Sequence, residues 1–429
     1  MRVINRIKKS DFVRDIGITT GGQLIVMLFT FLLNKIVSIR FGPTQYMEYS
    51  LIHKTAGVIT YVMILSLGIA IPRYIAIYRS KQEKNKEFIC LVASFCLVVM
   101  STIIVFFLCL IFKDSFASLV FGGNIKYVSY VLPTLMLSLQ MGLTTLLYSY
   151  YRGADRFLIY SISQCTISFG LMIISIVVNE LLLMVYVISI AGVLFSCFSF
   201  WRVWKTYRNE GCTIEKSDLG NEVRTLARYS VPRVPGEFVL FSFTTVPLII
   251  INQKVGPEQA VAFSVALGII SAISPFFRYI GMVLLPYASK SIANDNFDDL
   301  DRKMKYLSIL YAGISICGIL FVLIFARFVI VVLYSSEYVQ YAETVRIMIF
   351  SLLPNAIYLL LRNPLDALAK FPINTINLIV SFCIMNIIIY LSNSIKMYAL
   401  SFFIAYTILG SLSWISWLFL KRTLLKRNN

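Results

Sequence analysis

The chain of 429 residues is 58% hydrophobic and only 14% charged, whereas soluble domains carry about 25% charged residues. A soluble globule of this composition would expose large apolar patches, so the composition excludes it and favours a membrane protein with many spans. The net charge of +18 comes from 39 basic and 21 acidic residues. It is better explained by Lys and Arg enrichment in cytoplasmic loops than by nucleic-acid binding.

Apolar segments of spanning length recur along the chain. A hydrocarbon core of about 30 Å needs about 20 apolar residues per helix. By this criterion the sequence predicts an all-α integral membrane protein with twelve transmembrane helices. In chain order, the predicted spans 1 to 12 are residues 16–39, 46–71, 88–112, 127–151, 157–178, 181–201, 229–252, 258–285, 306–326, 344–368, 372–392 and 397–420.

The loops between these spans predict the orientation. With a cytoplasmic N-terminus, 27 basic residues fall in the inner regions and 6 in the outer loops. Because cytoplasmic loops collect Lys and Arg, both termini are predicted to be cytoplasmic. The longest polar stretch, residues 202–228, then lies on the inner side. All loops are short and the chain contains no P-loop motif, so we expect neither an extramembrane enzyme domain nor an ATP site.

The two halves of the sequence resemble each other at one constant offset, equal to about half the chain. The sequence GPTQ at residues 42–45 matches GPEQ at residues 256–259, and Pro72 matches Pro286 at the same offset. Because each half carries six spans, the halves would enter the membrane in the same direction, as two parallel six-helix repeats. The alternative is chance, since Gly-Pro commonly ends one helix and starts the next. The predicted domains are an N-lobe (1–205), a cytoplasmic linker (206–226) and a C-lobe (227–429).

Four short motifs carry a resemblance to a known family. They are SLGIAIPRYIA at residues 66–76, YRGADRF at 151–157, ARYSVP at 227–232 and VGPEQAVAFS at 255–264. Taken in order, with the length and the duplication, they resemble the Wzx-type O-antigen and capsule polysaccharide flippases. These belong to the MATE-like multidrug/oligosaccharidyl-lipid/polysaccharide (MOP) exporter superfamily. The lipid II flippase branch of that superfamily usually has fourteen helices, so the chain departs from it.

The resemblance implies a function. It implies that an undecaprenyl-diphosphate-linked oligosaccharide moves from the cytoplasmic to the periplasmic leaflet of the bacterial inner membrane by alternating access. It also implies a central cavity lined largely by spans 1, 2, 7 and 8, and coupling to H⁺ or Na⁺. The expected partners are the lipid-linked oligosaccharide, the bilayer, and polysaccharide polymerase and chain-length proteins. We expect no nucleic acid, no metal site and no cofactor, and no catalytic residues.

Basic residues within the spans are the candidate substrate contacts. Each costs about 2.5–3.5 kcal/mol at the bilayer centre on insertion scales, so each should face water, a partner or a ligand. Lys54 lies about eight residues, or roughly 12 Å, into span 2, too deep to reach the surface easily. A diphosphate is an anion, and Arg and Lys suit it. The candidate substrate-binding residues are Lys54, Arg278, Arg233, Arg362 and Lys35; for Lys35 the alternative is a surface anchor.

Two acidic residues within the spans are candidates for ion coupling. Glu237 lies four residues after Arg233 in span 7, and Asp366 lies four residues after Arg362 in span 10. This spacing places both members of a pair on one helix face. Each pair is either a structural ion pair or a carboxylate that exchanges an ion while its Arg partner binds substrate. Glu48, near the outer end of span 2, is predicted to be solvated only.

Two other functions compete with the flippase. A MATE-like antiporter of small molecules or cations has the same fold, but basic residues within the spans would repel cationic cargo. A membrane-embedded polysaccharide polymerase usually carries a large periplasmic loop, whereas the longest loop here is predicted to be cytoplasmic.

Overall fold

Helices account for almost the whole of the described chain. The structure is a computed structural model that describes residues 2–122, 125–273, 277, 297–368 and 373–428, and these ranges contain no strand. The α-helices are α1 (Arg2–Met63), α2 (Leu67–Ser80), α3 (Lys84–Ile111), α4 (Lys113–Phe121), α5 (Val131–Gly153), α6 (Phe157–Val177), α7 (Leu181–Asn209), α8 (Lys216–Ser230), α9 (Val234–Val255), α10 (Pro257–Ile273), α11 (Phe297–Leu333), α12 (Ala342–Met348), α13 (Leu352–Leu368), α14 (Ile373–Leu391) and α15 (Ile395–Asn428). Short 3₁₀ helices cover Ile125–Tyr130, Val231–Arg233, Ser336–Tyr341 and Ile349–Ser351.

Ten helical segments within these ranges are long and apolar enough to cross a membrane. The predicted all-α membrane fold is therefore confirmed. The first segment, Gly17–Met63, has 47 residues, or about 70 Å at 1.5 Å per residue, which exceeds two bilayer cores. Predicted span 1 and most of span 2 fall within it, and part of predicted span 8 forms the shorter apolar helix α10. The count of twelve spans and the position of the termini stay predictions.

Two glycines bend the chain at equivalent places. Gly42 interrupts α1 with φ of 74°, and Gly256 separates α9 from α10 with φ of 94°. L-residues with a side chain rarely adopt this backbone conformation, so glycine is required. Each is followed by a proline, which lacks the N–H that a continuous helix would use. The matching GPxQ sequences thus mark the same backbone turn in both halves.

Side-chain contacts also repeat at the offset that relates Gly42 to Gly256. The Tyr207 hydroxyl donates a 2.8 Å hydrogen bond to the Glu87 carboxylate and ties α7 to α3. At the equivalent positions, Lys421 Nζ donates a 2.7 Å hydrogen bond to Asp301 and ties α15 to α11. Chance similarity of short sequence motifs would not place bonded pairs at one offset. The contacts therefore support the predicted duplication.

A second repeated contact gives two basic residues of the predicted outer loops a structural role. Arg40 donates hydrogen bonds to the Ser175 and Ile176 carbonyl oxygens at the C-terminal end of α6. At the equivalent position of the second half, Lys254 donates to the Tyr390 carbonyl oxygen at the end of α14. The last carbonyls of a helix carry partial negative charge, which a cation stabilises. These two cations have a structural role that the charge pattern alone does not reveal.

The chain divides into two compact units, residues 1–241 and 242–429. The first unit contains the polar stretch that the sequence predicts as a cytoplasmic linker, and much of this stretch is helix α8. Leu219, Val223 and Leu226 of α8 pack against the apolar core that α2, α3 and α5 form. Cys212, just before α8, is 8% exposed, and burial raises the pKa of its thiol. It therefore behaves as a small apolar residue.

The orientation can be checked with reporter fusions. A cytoplasmic reporter fused at residue 215, and an exported reporter fused within α4 at residues 115–121, should both be active, because the loop charges predict these sides. Enzyme activity of each fusion in whole cells is the measurement. Activity of an exported reporter at residue 215 would contradict the predicted topology.

Candidate functional site

The last turn of α8 meets the C-terminal half of α2 through aromatic residues. The Tyr74 ring on α2 packs in a T-shaped arrangement with the Tyr229 ring in the last turn of α8, with centroids 5.6 Å apart and planes at 89°. One turn further along α2, the Tyr78 hydroxyl lies 2.9 and 3.1 Å from the two carboxylate oxygens of Glu222 on α8. These contacts and the apolar face of α8 fix this helix on the first unit. The segment after it, which leads into α9, is therefore held beside α2.

Two arginines share the Tyr229 ring at this junction. The Arg73 guanidinium carbon lies 4.9 Å from the ring centroid, and its Nη1 donates a 3.0 Å hydrogen bond to the Tyr229 hydroxyl. The Arg233 guanidinium carbon lies 3.9 Å from the same centroid, and its Nη1 donates to the Tyr229 carbonyl oxygen. Both arginine side chains are exposed. We call Arg73, Tyr229 and Arg233 the arginine–tyrosine cluster.

A buried carboxylate lies behind this junction, where α3, α5 and α7 meet. Glu87 is 4% exposed. The Tyr150 hydroxyl donates to the Tyr207 hydroxyl at 3.0 Å, and Tyr207 donates to Glu87 at 2.8 Å. Arg79 lies 3.8 Å from the same carboxylate. A buried carboxylate is tolerated only when its oxygens are paired, so the chain of hydroxyls stabilises the unit rather than forming an open binding site.

Removing the middle hydroxyl of this chain should destabilise the protein. Tyr207→Phe removes the hydrogen bonds of Glu87 and Tyr150 to the Tyr207 hydroxyl and, within the described residues, leaves Glu87 with Arg79 alone, at a cost of about 1–3 kcal/mol. Thermal unfolding of the purified protein in detergent is the measurement, and a lower midpoint is expected. Tyr306→Phe is the matched control, because Tyr306 is exposed on α11. Equal midpoints for both variants would show that the hydroxyl chain adds no stability.

Glu48 is buried, and the prediction from the sequence that this residue is solvated is wrong. It is 3% exposed. The Tyr130 hydroxyl donates to one of its carboxylate oxygens at 2.7 Å, and Lys126 Nζ lies 3.2 Å from the other. The hydrophobic pattern around Glu48 places it near the end of a span but does not show which neighbour covers it. Its partners bind it to the segment before α5, which is a structural role.

The second predicted span is interrupted between α1 and α2. Leu65 and Ser66 have φ of 49° and 56°, which non-glycine residues rarely adopt and which carries backbone strain. The Ser101 hydroxyl donates to the Met63 carbonyl oxygen that the interruption leaves free of the helix. In the C-terminal half, the Tyr311 hydroxyl donates to the carbonyl oxygen of Phe277, the position equivalent to Met63. A side chain from the following helix thus satisfies the same carbonyl in both halves.

The predicted site residues occupy different environments. Lys35 and Lys54 are half-buried on α1, on either side of the bend at Gly42. Arg362 is half-buried on α13, and its carbonyl oxygen accepts a 2.8 Å hydrogen bond from Asn374 on α14. Arg278 and the side chain of Asp366 lie outside the described residues. The structure does not test the roles of these residues, which stay predictions.

For Arg233 and Glu237 the sequence leaves open a structural ion pair and a role in ion coupling, and both stay predictions. Arg233 stacks on Tyr229. It lies in the 3₁₀ helix Val231–Arg233, whereas Glu237 is in the first turn of α9. The i,i+4 rule assumes one continuous α-helix, and Pro232 and Pro235 surround the change of helix type. Glu237 is half-buried.

Sequence reasoning missed the role of Arg73 and Tyr229. Both occur in motifs that carry the family resemblance, as Arg73-Tyr74 and Arg228-Tyr229. By its position, Arg73 is one of the 27 basic residues of the predicted inner regions. Both Arg-Tyr pairs lie in regions that are predicted to face the cytoplasm, which is consistent with an aromatic contact between them. Because the two pairs are far apart in the sequence, no local pattern predicts this contact.

Solved structures show the fold of this chain. An inward-facing multidrug resistance MATE family transporter of the MOP superfamily is 13% identical, with 94% of this chain and 95% of that chain covered and a TM-score of 0.75. An outward-facing one is 15% identical over 97% and 96%, with a TM-score of 0.65. A MOP superfamily transporter from Pyrococcus furiosus, whose binding pocket is described as reversed in polarity, is 14% identical over 98% and 97%, with a TM-score of 0.66.

The fold defines the class of this protein, and a family model then defines its family. The fold and the apolar helices define a multi-pass membrane protein with the MATE transporter fold. The model of the polysaccharide biosynthesis protein family matches residues 12–292, and the MatE model matches residues 236–391. The chain therefore belongs to the polysaccharide biosynthesis protein family, as the sequence motifs predict. No curated protein is similar enough in sequence to count as a relative.

Proposed function

We propose that the protein is a flippase for an undecaprenyl-diphosphate-linked oligosaccharide, an O-antigen or capsule repeat unit. It moves this lipid from the cytoplasmic to the periplasmic leaflet of the bacterial inner membrane by alternating access, coupled to H⁺ or Na⁺. The observation that carries the proposal is the family match over residues 12–292. Synthesis of surface polysaccharide from lipid-linked units requires such a transfer step, and a membrane transporter fold is suited to it.

The charges support an anionic cargo. Six basic residues lie within the predicted spans, and the arginine–tyrosine cluster adds Arg73, which lies in a predicted inner loop. A diphosphate must cross a layer of low dielectric, where uncompensated charge is expensive. Arginine offers several N–H donors in the geometry of a phosphate group. We propose Lys54, Arg278, Arg233, Arg362 and Lys35 as substrate contacts.

The proposal is tested by deleting the gene in its native strain and assaying the lipid-linked repeat unit in each leaflet. Accumulation of single repeat units that face the cytoplasm is expected, and restoration by a plasmid copy is the control. Normal export in the deletion strain contradicts the proposal.

A MATE-like antiporter is the second candidate, because the MatE model matches residues 236–391 and the similar solved structures include multidrug transporters. It predicts that the deletion strain becomes more sensitive to cationic drugs while export of the repeat unit is unchanged. The flippase predicts the reverse, so one strain distinguishes the two.

A further inference from the structure

Two guanidinium groups meet at one phenol ring in the arginine–tyrosine cluster. Their central carbons lie 4.9 and 3.9 Å from the Tyr229 centroid, so they lie within about 9 Å of each other. In the part of the chain that the structure describes, no carboxylate forms an ion pair with Arg73 or Arg233. Like charges at this separation repel, and an anion bound between them would relieve the repulsion.

The cluster is fixed in place before any ligand arrives. Arg73 uses one donor on the Tyr229 hydroxyl, and Arg233 uses one on the Tyr229 carbonyl oxygen. Each guanidinium has five N–H groups, so most donors remain available. The Tyr74 ring packs against the Tyr229 ring, and the hydrogen bond from Tyr78 to Glu222 holds α8 in place. A site that is already ordered loses little side-chain entropy on binding.

The position of the cluster indicates where the anion resides. Arg73 follows predicted span 2, and Arg233 is near the start of predicted span 7, both at the predicted cytoplasmic interface. Both arginines contact Tyr229, which packs against Tyr74, and Tyr74 lies next to Tyr78; tyrosines are enriched at the level of lipid headgroups. An anion at that level is a phosphate on a lipid. Arginine is the residue whose planar donors match phosphate oxygens two at a time.

We propose that Arg73, Tyr229 and Arg233 form a binding site for the phosphate headgroup of a lipid in the cytoplasmic leaflet. Tyr229 keeps the two guanidinium groups close enough to contact one phosphate or the two phosphates of a diphosphate. Two lipids offer this chemistry: an isoprenoid diphosphate, or an anionic phospholipid. The assignment of the isoprenoid diphosphate rests on the proposed function, whereas the phosphate chemistry of the site does not.

The test measures lipid binding to the full-length protein in nanodiscs of phosphatidylcholine. Undecaprenyl diphosphate and phosphatidylglycerol are titrated separately, and bound lipid is counted by native mass spectrometry. Arg73→Gln and Arg233→Gln should each weaken binding about tenfold, and the double variant more, because each removes one charged donor to phosphate. Arg224→Gln is the matched control, since Arg224 is an exposed arginine on α8 outside the cluster.

Each outcome decides the proposal. Weaker binding of undecaprenyl diphosphate alone supports the site and assigns it to the transported lipid. Equal weakening for both lipids supports the site as a general phosphate-headgroup site. Binding that is no weaker than in Arg224→Gln overturns it. If the wild type fails to move lipid-linked oligosaccharide while its phosphatidylglycerol binding depends on the two arginines, the proposed function fails and the site stands.

A second measurement needs no variant and covers the case in which the variants fail to fold. Phenylglyoxal modifies exposed arginines, and peptide mass spectrometry reports the extent at each position. In the wild type, undecaprenyl diphosphate or phosphatidylglycerol should protect Arg73 and Arg233 and leave Arg224 unprotected. Equal labelling of Arg73 and Arg233 with and without both lipids overturns the proposal.

Discussion

Lys54→Glu is expected to abolish export of the lipid-linked repeat unit while the protein still inserts into the membrane. Lys54 is half-buried on α1 beyond the bend at Gly42, in a predicted span that the family resemblance places at the cavity. A unit charge at 4 Å contributes about 4 kcal/mol at an effective dielectric of 20, and the substitution reverses its sign. A diphosphate that passes this point would then be repelled. Leaflet-resolved assay of the repeat unit in the complemented deletion strain is the measurement.

Two further variants are the controls for Lys54→Glu. Lys113→Glu makes the same charge change on an exposed residue at the start of α4, and it should leave export intact. Lys54→Arg keeps the charge and should retain most of the activity. Wild-type export by a well-expressed Lys54→Glu protein would remove Lys54 from the transport pathway.

Glu237→Gln is expected to abolish the response of transport to an ion gradient while the protein stays as stable as the wild type. The substitution mimics a protonated carboxylate, and it removes the charge that Na⁺ would need. Stability should be kept because the substitution preserves the size and polarity of the side chain, and Arg233 keeps its contacts with Tyr229. Lipid transfer in proteoliposomes, with and without an imposed pH or Na⁺ gradient, is the measurement, beside thermal unfolding.

The double variant that combines Glu237→Gln with Arg233→Gln distinguishes an ion-coupling role of Glu237 from a structural one. If the two side chains formed a buried pair, Glu237→Gln would lower stability by about 3–5 kcal/mol and Arg233→Gln would restore it. Because Arg233 contacts Tyr229, we expect that Arg233→Gln does not restore stability in this way. A single variant with a normal gradient response would remove Glu237 from coupling.

Much of the architecture follows from the sequence because a bilayer leaves the chain few choices. Backbone groups in lipid must bond within their own segment, so a long apolar run becomes a helix. The GPxQ sequences at residues 42–45 and 256–259 predict equivalent turns, and Gly42 and Gly256 both have positive φ. The same offset recurs in the contacts of Glu87 and Asp301. These features depend on local composition and on order along the chain.

The pairing of side chains depends on how each helix is rotated about its axis, which composition does not encode. The sequence predicts a solvated Glu48, yet Tyr130 and Lys126 bind it. The i,i+4 spacing allows Arg233 to pair with Glu237, but it does not reveal that Arg233 lies in a 3₁₀ segment and stacks on Tyr229. The contact between Arg73 and Tyr229 spans 156 residues. The sequence therefore determined the helices, their repeat and the cationic character, since these follow from hydropathy and order. Only the packing of α8 on α2 and α3 decided which arginines meet, because no local pattern specifies a contact between distant segments.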